Sequence, residues 1–203
     1  MKPISATLFG TLLCIIVLFS PTQLNSQNNS KKQPRRHTIW SYDSKTDQTI
    51  VRTHVMKVRE ITGDVEAITP GGKINLPSET LEIMAHYTFS GRTPTSPNQI
   101  VLNFLSMAQE EFKYSAKSQV NVEADGQNFS LGPVVLADRR TDTHTSVGRI
   151  RFLRETLQVT LTVEEYTRIV KASKLRMRLD KTQVDVSKNQ LALLLALIEE
   201  TEP

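Results

Sequence analysis

From Leu81 to Phe89 every second residue is apolar. Leu81, Ile83, Ala85, Tyr87 and Phe89 alternate with Glu82, Met84, His86 and Thr88, the period of a strand with one buried face. The same period returns at Ile100, Leu102 and Phe104, at Val120 and Val122, at Phe129 and Leu131, and at Ile150 and Phe152. It returns again at Leu157, Val159 and Leu161, at Leu175, Met177 and Leu179, and at Val184 and Val186. Nearer the N-terminus, Thr38–Tyr42, Thr49–Val58, Asp64–Ile68 and Lys73–Leu76 read as strands, the last two joined by the turn Pro70-Gly71-Gly72. Asp125-Gly126 marks a two-residue hairpin, because both central residues of such a turn need positive φ. Ser90–Asn98 holds one Gly and two Pro and predicts a loop. Leu136–Val147 is polar and unpatterned and predicts a second long loop. Met107–Tyr114 mixes a helix-capping signal with strand residues and stays open between the two.

Two stretches break the β period. After Leu161, Thr162-Val163-Glu164-Glu165 fits a capping box: the Thr162 hydroxyl can take the Glu165 amide while that carboxylate reaches back to the Thr162 amide. A helix over Val163–Ser173 follows. Ser187-Lys188-Asn189-Gln190 repeats the box ahead of Leu191, Leu194, Leu195 and Ile198. This second helix also carries Leu193 and Leu197, so it is apolar around most of its circumference, the mark of a buried helix. Short alternating strands joined by Gly/Pro turns, then two capped helices, predict a mainly β (α+β) domain. The expected form is an antiparallel β-sandwich or curled sheet, with the last helix buried at an open end.

The first 26 residues differ in kind. Lys2 precedes a largely apolar run from Ile4 to Phe19, followed by Pro21 and small polar residues, the layout of a secretory signal peptide. An uncleaved anchor through residues 4–19 is the alternative. Residues 27–36 are Gln, Asn, Ser, Lys, Arg and Pro with nothing to bury, which predicts a flexible basic linker. The domain expected to fold is therefore 37–203. The sole cysteine, Cys14, lies inside the apolar run, so a cleaved chain would carry no disulfide, thiolate or cysteine metal ligand.

Charge narrows the choice of partner. The whole chain has 25 basic and 21 acidic residues. Lys2, Lys31, Lys32, Arg35 and Arg36 are five of the 25, which leaves 20 against 21 from His37 onward. The basic excess thus sits in the arm, and nucleic acid is not an expected partner of the fold. Membrane contact is expected only through the signal segment or the basic arm.

No catalytic signature stands out: there is no Gly-x-Ser-x-Gly elbow, no His-Glu-x-x-His and no phosphate-binding Gly loop. Asp138, Asp142 and His144 resemble a ligand cluster, but their spacing matches no common site, so no metal and no cofactor is expected. His86 falls on the polar face of its strand and is expected to face solvent. Trp40 and Tyr42 share a strand face, and the only Trp of the chain is expected to serve the core. The sharper feature is arginine. Between Arg139 and Arg178 there are ten basic residues against Asp142, Glu155, Glu164 and Glu165. The apolar set Ile150 and Phe152 sends Arg149 and Arg151 to the opposite face, and Leu175, Met177 and Leu179 do the same to Arg176 and Arg178. If those strands share a sheet, Arg149, Arg151, Arg176 and Arg178 form a ladder able to pair with carboxylate or phosphate. The partner expected on such a face is an acidic protein or an anionic envelope polymer.

From Leu81 onward the succession of alternating strand, Gly/Pro loop, Ile100–Phe104, Asp125-Gly126, Thr162–Tyr166, Val184–Ser187 and leucine-rich helix resembles a scattered group of exported bacterial β-rich proteins. Their C-termini share this helix, strand pair, helix pattern. The resemblance implies a bacterial envelope location, secreted or periplasmic, and no activity. The function expected is a non-catalytic binding or structural module. The alternatives are a hydrolase of envelope polymers using loop carboxylates, and a carrier with an apolar cavity.

Overall fold

The computed structural model describes residues 37–69, 72–144 and 150–199. The expected signal peptide, the basic linker, Arg149 and the start of the Pro70-Gly71-Gly72 turn lie outside them. Among the described residues no helix is long and apolar enough to cross a membrane.

Among the described residues eleven strands and two helices follow one another: β1 (Thr38–Asp43), β2 (Gln48–Thr53), β3 (Met56–Thr69), β4 (Gly72–Ser90), β5 (Gln99–Ala108), β6 (Gln119–Ala124), β7 (Gln127–Pro133), β8 (Val135–His144), β9 (Ile150–Thr162), α1 (Val163–Val170), β10 (Leu175–Leu179), β11 (Thr182–Val186) and α2 (Lys188–Glu199). They form two open antiparallel sheets. The larger has seven strands in the order β1-β2-β4-β5-β9-β8, with β3 also on β4; the smaller has four in the order β11-β10-β6-β7. One hydrophobic cluster joins Val51, Ile83, Phe104 and Leu157 of the larger sheet to Val122, Met177 and Val184 of the smaller, and to Ile169 and Leu194 of the helices. The fold is the expected mainly β architecture with two helices, and α2 is buried as expected, with Leu194 and Leu197 fully enclosed.

The strand β4 organises the larger sheet. Its odd residues Leu81, Ile83, Ala85 and Tyr87 are all buried in the core. One of its edges serves two partners: residues 86–90 pair with β2, and residues 72–83 pair with β3. The expected strand Thr49–Val58 is therefore two strands, broken at His54 and Val55, because the chain must step from one half of β4 to the other. The expected strands Lys73–Leu76 and Leu81–Phe89 are instead one, running through Pro77. A proline is tolerated there because β5 reaches only to Glu79, so β4 has a single neighbour at that level. Opposite, Gly63 lies where an added Cβ would come within 2.5 Å of the Leu76 carbonyl oxygen, so the two backbones can approach only around glycine.

A second expectation is overturned at Leu136–Val147. Its first part is strand, as β8 pairs with β9 from Val135↔Gln158 to His144↔Ile150. An edge strand satisfies its backbone through one neighbour and can hold charges on both faces, so it leaves no hydrophobic alternation to read. The open stretch after Met107 resolves as strand to Ala108, then irregular chain.

That irregular segment is held by a buried charge. Glu155 lies on the core-facing side of β9 and is 2 % exposed. Its carboxylate accepts from the backbone amides of Lys113 (2.7 Å) and Tyr114 (3.1 Å) and from Arg139 Nη2 (2.7 Å). Arg139 also donates to the Tyr114 carbonyl and stacks on Phe112, 4.6 Å from the ring centroid. An ionised carboxylate buried without partners is very costly, so this set of donors is what makes Glu155 tolerable.

Both capping boxes form. Thr162 Oγ1 accepts from the Glu165 amide at 3.1 Å while Glu165 takes the Thr162 amide at 2.9 Å. Ser187 and Gln190 exchange the same two bonds at 3.3 and 2.8 Å. The first helix ends earlier than the expected Ser173, at Val170 with Lys171 as cap. The amides of Ser173 and Lys174 turn instead to the Asp125 carboxylate. Tyr166 Oη, fully buried, donates to the Leu194 carbonyl at 2.8 Å and ties α1 to α2.

Replacing Glu155 with Ala strands Arg139 and two amides. We expect a loss of about 3 kcal/mol, the low end for breaking a buried pair, because the Arg139 side chain keeps 37 % of its exposure. The double replacement Glu155→Met, Arg139→Leu should lose less than Glu155→Ala alone. Urea denaturation of the three proteins tests this, and a double variant as weak as Glu155→Ala would refute the ion-pair account.

Candidate functional site

The smaller sheet has one face in the core and one in solvent. In β10, Leu175, Met177 and Leu179 are buried and Arg176 and Arg178 exposed. In β6, Val120, Val122 and Ala124 point inward, which leaves Asn121 and Glu123 on the outer side. The register sets these side chains in two rows. Asp185, Arg176, Glu123 and Asn128 stand side by side across β11, β10, β6 and β7, and Gln183, Arg178, Asn121 and Ser130 form the next row. The rows line an open cavity of about 480 Å³.

Two turns hold the grid in place. Asp125 and Gly126 adopt φ of 49° and 81°, the left-handed pair expected of the β6–β7 hairpin. The Asp125 carboxylate accepts from Ser173 Oγ (2.6 Å), the Ser173 amide and the Lys174 amide. The Ser173 hydroxyl first, then these amides, hold its pKa below the usual carboxylate range. At the other end Asp180, at φ 52°, turns the chain from β10 into β11. Its amide donates to the Gln119 carbonyl (3.1 Å) and its carboxylate accepts the Gln119 amide (3.0 Å). Both ends of β10 are thus tied to β6.

The two arginines have different fates. Arg176 is neutralised: its Nε donates to Asp185 at 2.8 Å and its Nη1 to Glu123 at 3.2 Å. The hydrogen bond to Asp185, with the charges of both acids, raises its pKa further. Arg178, flanked by Gln183 and Asn121, has no acidic partner among the described residues. The amides of Asn121, Asn128 and Gln183 likewise make no side-chain hydrogen bond among the described residues. A charged fork beside free amides can pair with an anion and with neighbouring hydroxyl groups.

The expected ladder of Arg149, Arg151, Arg176 and Arg178 does not form on one sheet. Arg151 is exposed on β9 in the seven-stranded sheet, whereas Arg176 and Arg178 belong to the four-stranded one. Arg149 lies outside the described residues. The cause is α1, which carries the chain from β9 across to β10, whose neighbour is the distant β6. Sequence spacing could not reveal the partners of Arg176 and Arg178; Asn121, Asn128 and Gln183 were missed because an amide has no chemistry until a neighbour is known.

The other sequence candidates fall elsewhere. Asp138 and Asp142 lie on β8 and meet arginine, Asp142 with Arg154 at 2.8 Å and with Arg140 at 3.5 Å, and Asp138 with Arg140 at 3.8 Å. Among the described residues no three His, Cys, Asp or Glu side chains converge as metal ligands. Trp40 packs edge-on against Phe89, with centroids 6.0 Å apart, and donates to Thr38 Oγ1. Tyr42 lies under Arg92 and donates to Asp47, so the two aromatics do not stand together as an open platform. His86 does not face solvent freely. It is half-buried, with Nδ1 2.8 Å from the Asn103 amide. Asn103 is turned that way because its Oδ1 accepts from Gln158 Nε2 at 3.0 Å and its amide also reaches the Met84 carbonyl.

Burial first, and the charge of Arg52 second, push the His86 pKa below its ordinary 6.5. The fold therefore disfavours protonation relative to the unfolded chain. The contribution to stability is complete above pH 6.5 and is lost as the pH falls through the lowered folded value. Thermal melts of wild type and His86→Gln between pH 7.5 and pH 5 should diverge, with the variant showing the shallower acid slope; parallel curves would refute this.

Comparison of the chain with protein-family models, with curated proteins and with solved structures finds no match in any of the three. What the geometry defines is a class: an open two-sheet β domain with a polar grid on the solvent face of its smaller sheet.

Proposed function

We propose that this chain is an exported, non-catalytic binding module of the bacterial envelope that holds an anionic partner on the outer face of its four-stranded sheet. The observation that carries this reading is Arg178, an exposed guanidinium without an acidic partner among the described residues, in a rigid row of amides. Arg176 one row away shows the contrast, since two acids already occupy it. The layout of the first 26 residues supports export, and the arm of Lys31, Lys32, Arg35 and Arg36 supports a tether beside an anionic surface. The carboxylates of the expected loop that a hydrolase would use, Asp138 and Asp142, are each engaged by arginine. That pairing favours a structural role for them.

Retention on a carboxylated matrix at low ionic strength tests the reading. A charge-assisted hydrogen bond contributes about 1.5–3 kcal/mol, so Arg178→Gln should weaken retention about tenfold or more, while Arg151→Gln should leave it nearly unchanged. Equal retention of wild type and Arg178→Gln would overturn the proposal. Export has its own check. N-terminal sequencing of the protein recovered from a bacterial envelope should begin near Gln27, and a chain retaining residues 4–19 in the membrane would favour the anchored form.

A further inference from the structure

We infer that the ligand of this face is an acidic polysaccharide in which uronate residues alternate with neutral sugars, an inference that rests on the anion-binding role of Arg178. Arg178 is the one cation of the two rows left without an acid among the described residues, whereas Glu123 and Asp185 flank Arg176 in the adjoining row. Residues in neighbouring rows and neighbouring strands are diagonal neighbours, about 7–8 Å apart. That is within a Debye length at physiological salt, about 8 Å. A first carboxylate on Arg178 is attracted. A second anionic group close to it meets Glu123 or Asp185 with no cation to spare. Densely charged chains such as polyphosphate are therefore disfavoured, and a ligand with well-separated charges is selected.

The neutral part of the ligand is set by the amides. Asn121, Asn128 and Gln183 each offer a carbonyl acceptor and an NH₂ donor, and their side chains are unengaged among the described residues. Groups that both donate and accept match the vicinal hydroxyls of a pyranose. The spacing between strands, about 4.8 Å, is also close to the advance of one sugar along an extended chain. An acidic protein fits less well, because protein interfaces draw their affinity from buried aromatic and apolar anchors. The large apolar residues exposed among the described ones, Ile50, Val55, Ile61 and Val135, lie on or beside the strands of the other sheet.

Affinity electrophoresis of the full chain through gels containing hyaluronan, polygalacturonate, polyphosphate or neutral dextran tests the inference. Hyaluronan, which alternates uronate with a neutral amino sugar, should retard the protein most. Polygalacturonate and polyphosphate should bind at least about fivefold more weakly, and dextran should not retard it. Arg178→Gln should abolish the hyaluronan shift. Arg178→Lys, which keeps the charge, should recover only part of it, because an ammonium cannot pair bidentately. Glu123→Gln, which removes one acid and loosens Arg176, should raise binding to the two dense polyanions. If polygalacturonate or polyphosphate binds as tightly as hyaluronan, and through Arg178, the ligand class is wrong while the anion-binding face stands. If no anionic polymer shows Arg178-dependent retardation, both fail. Circular dichroism melts of the Arg178 variants, expected to match wild type because Arg178 is exposed and has no acidic partner among the described residues, separate a lost site from a lost fold.

Discussion

The burial of Leu175, Met177 and Leu179 against the shared core is the constraint on which the rest of the smaller sheet depends. In a strand the side-chain period is two, so a slip of one residue would expose all three and bury two arginines. That penalty locks the register of β10 on both neighbours, and with it the position of every polar side chain on the outer face. The candidate site is the other side of a packing decision: Arg176 and Arg178 face solvent because the residues between them cannot. Turns at Asp125 and Asp180 then fasten both ends of the strand to β6, which converts a short strand into a fixed platform.

The larger sheet meets a different demand. It must give β4 enough partners along its 19 residues, and no single short strand can do so. The chain solves this by dividing one edge between β2 and β3 and by letting Pro77 fall where only one neighbour exists. Midway along β9 the buried side carries a charge, Glu155, between the buried Leu153 and Leu157. Its three donors come from two places, Arg139 on β8 and the amides of Lys113 and Tyr114 in the irregular segment after β5. A buried pair of this kind adds little net stability over an apolar replacement, but it ties two successive amides of that segment to β9.

Electrostatics separate the arginines that carboxylates engage from those without an acid among the described residues. Arg139, Arg140, Arg154 and Arg176 all have carboxylates within 4 Å, so four of the ten basic residues counted between Arg139 and Arg178 are internal counter-charge. A local excess of basic residues is therefore a poor guide to an anion site. The useful quantity is the number of cations left unpaired after folding, and on the face of the four-stranded sheet that number is one among the described residues. A single charge among amides makes the proposed site one defined more by hydrogen-bond geometry than by attraction.

Much of this was legible in the chain. The alternations at Leu81–Phe89, Leu157–Leu161 and Leu175–Leu179, the Asp125-Gly126 turn and both capping boxes are local, and each is dictated by residues within a few positions of one another. They were enough to specify the mainly β class, the two helices and the buried character of the last one. Edge strand β8 was not legible, since its pairing is through backbone and its side chains carry charges of both signs. The helix Val163–Val170 ended early because of Asp125, far away in sequence. Above all, the sequence by itself determined that Arg176 and Arg178 must face outward. Only the tertiary structure decided that Glu123 and Asp185 would occupy the first and that amides would surround the second, because cross-strand neighbours are chosen by which strands meet, a property of the whole core.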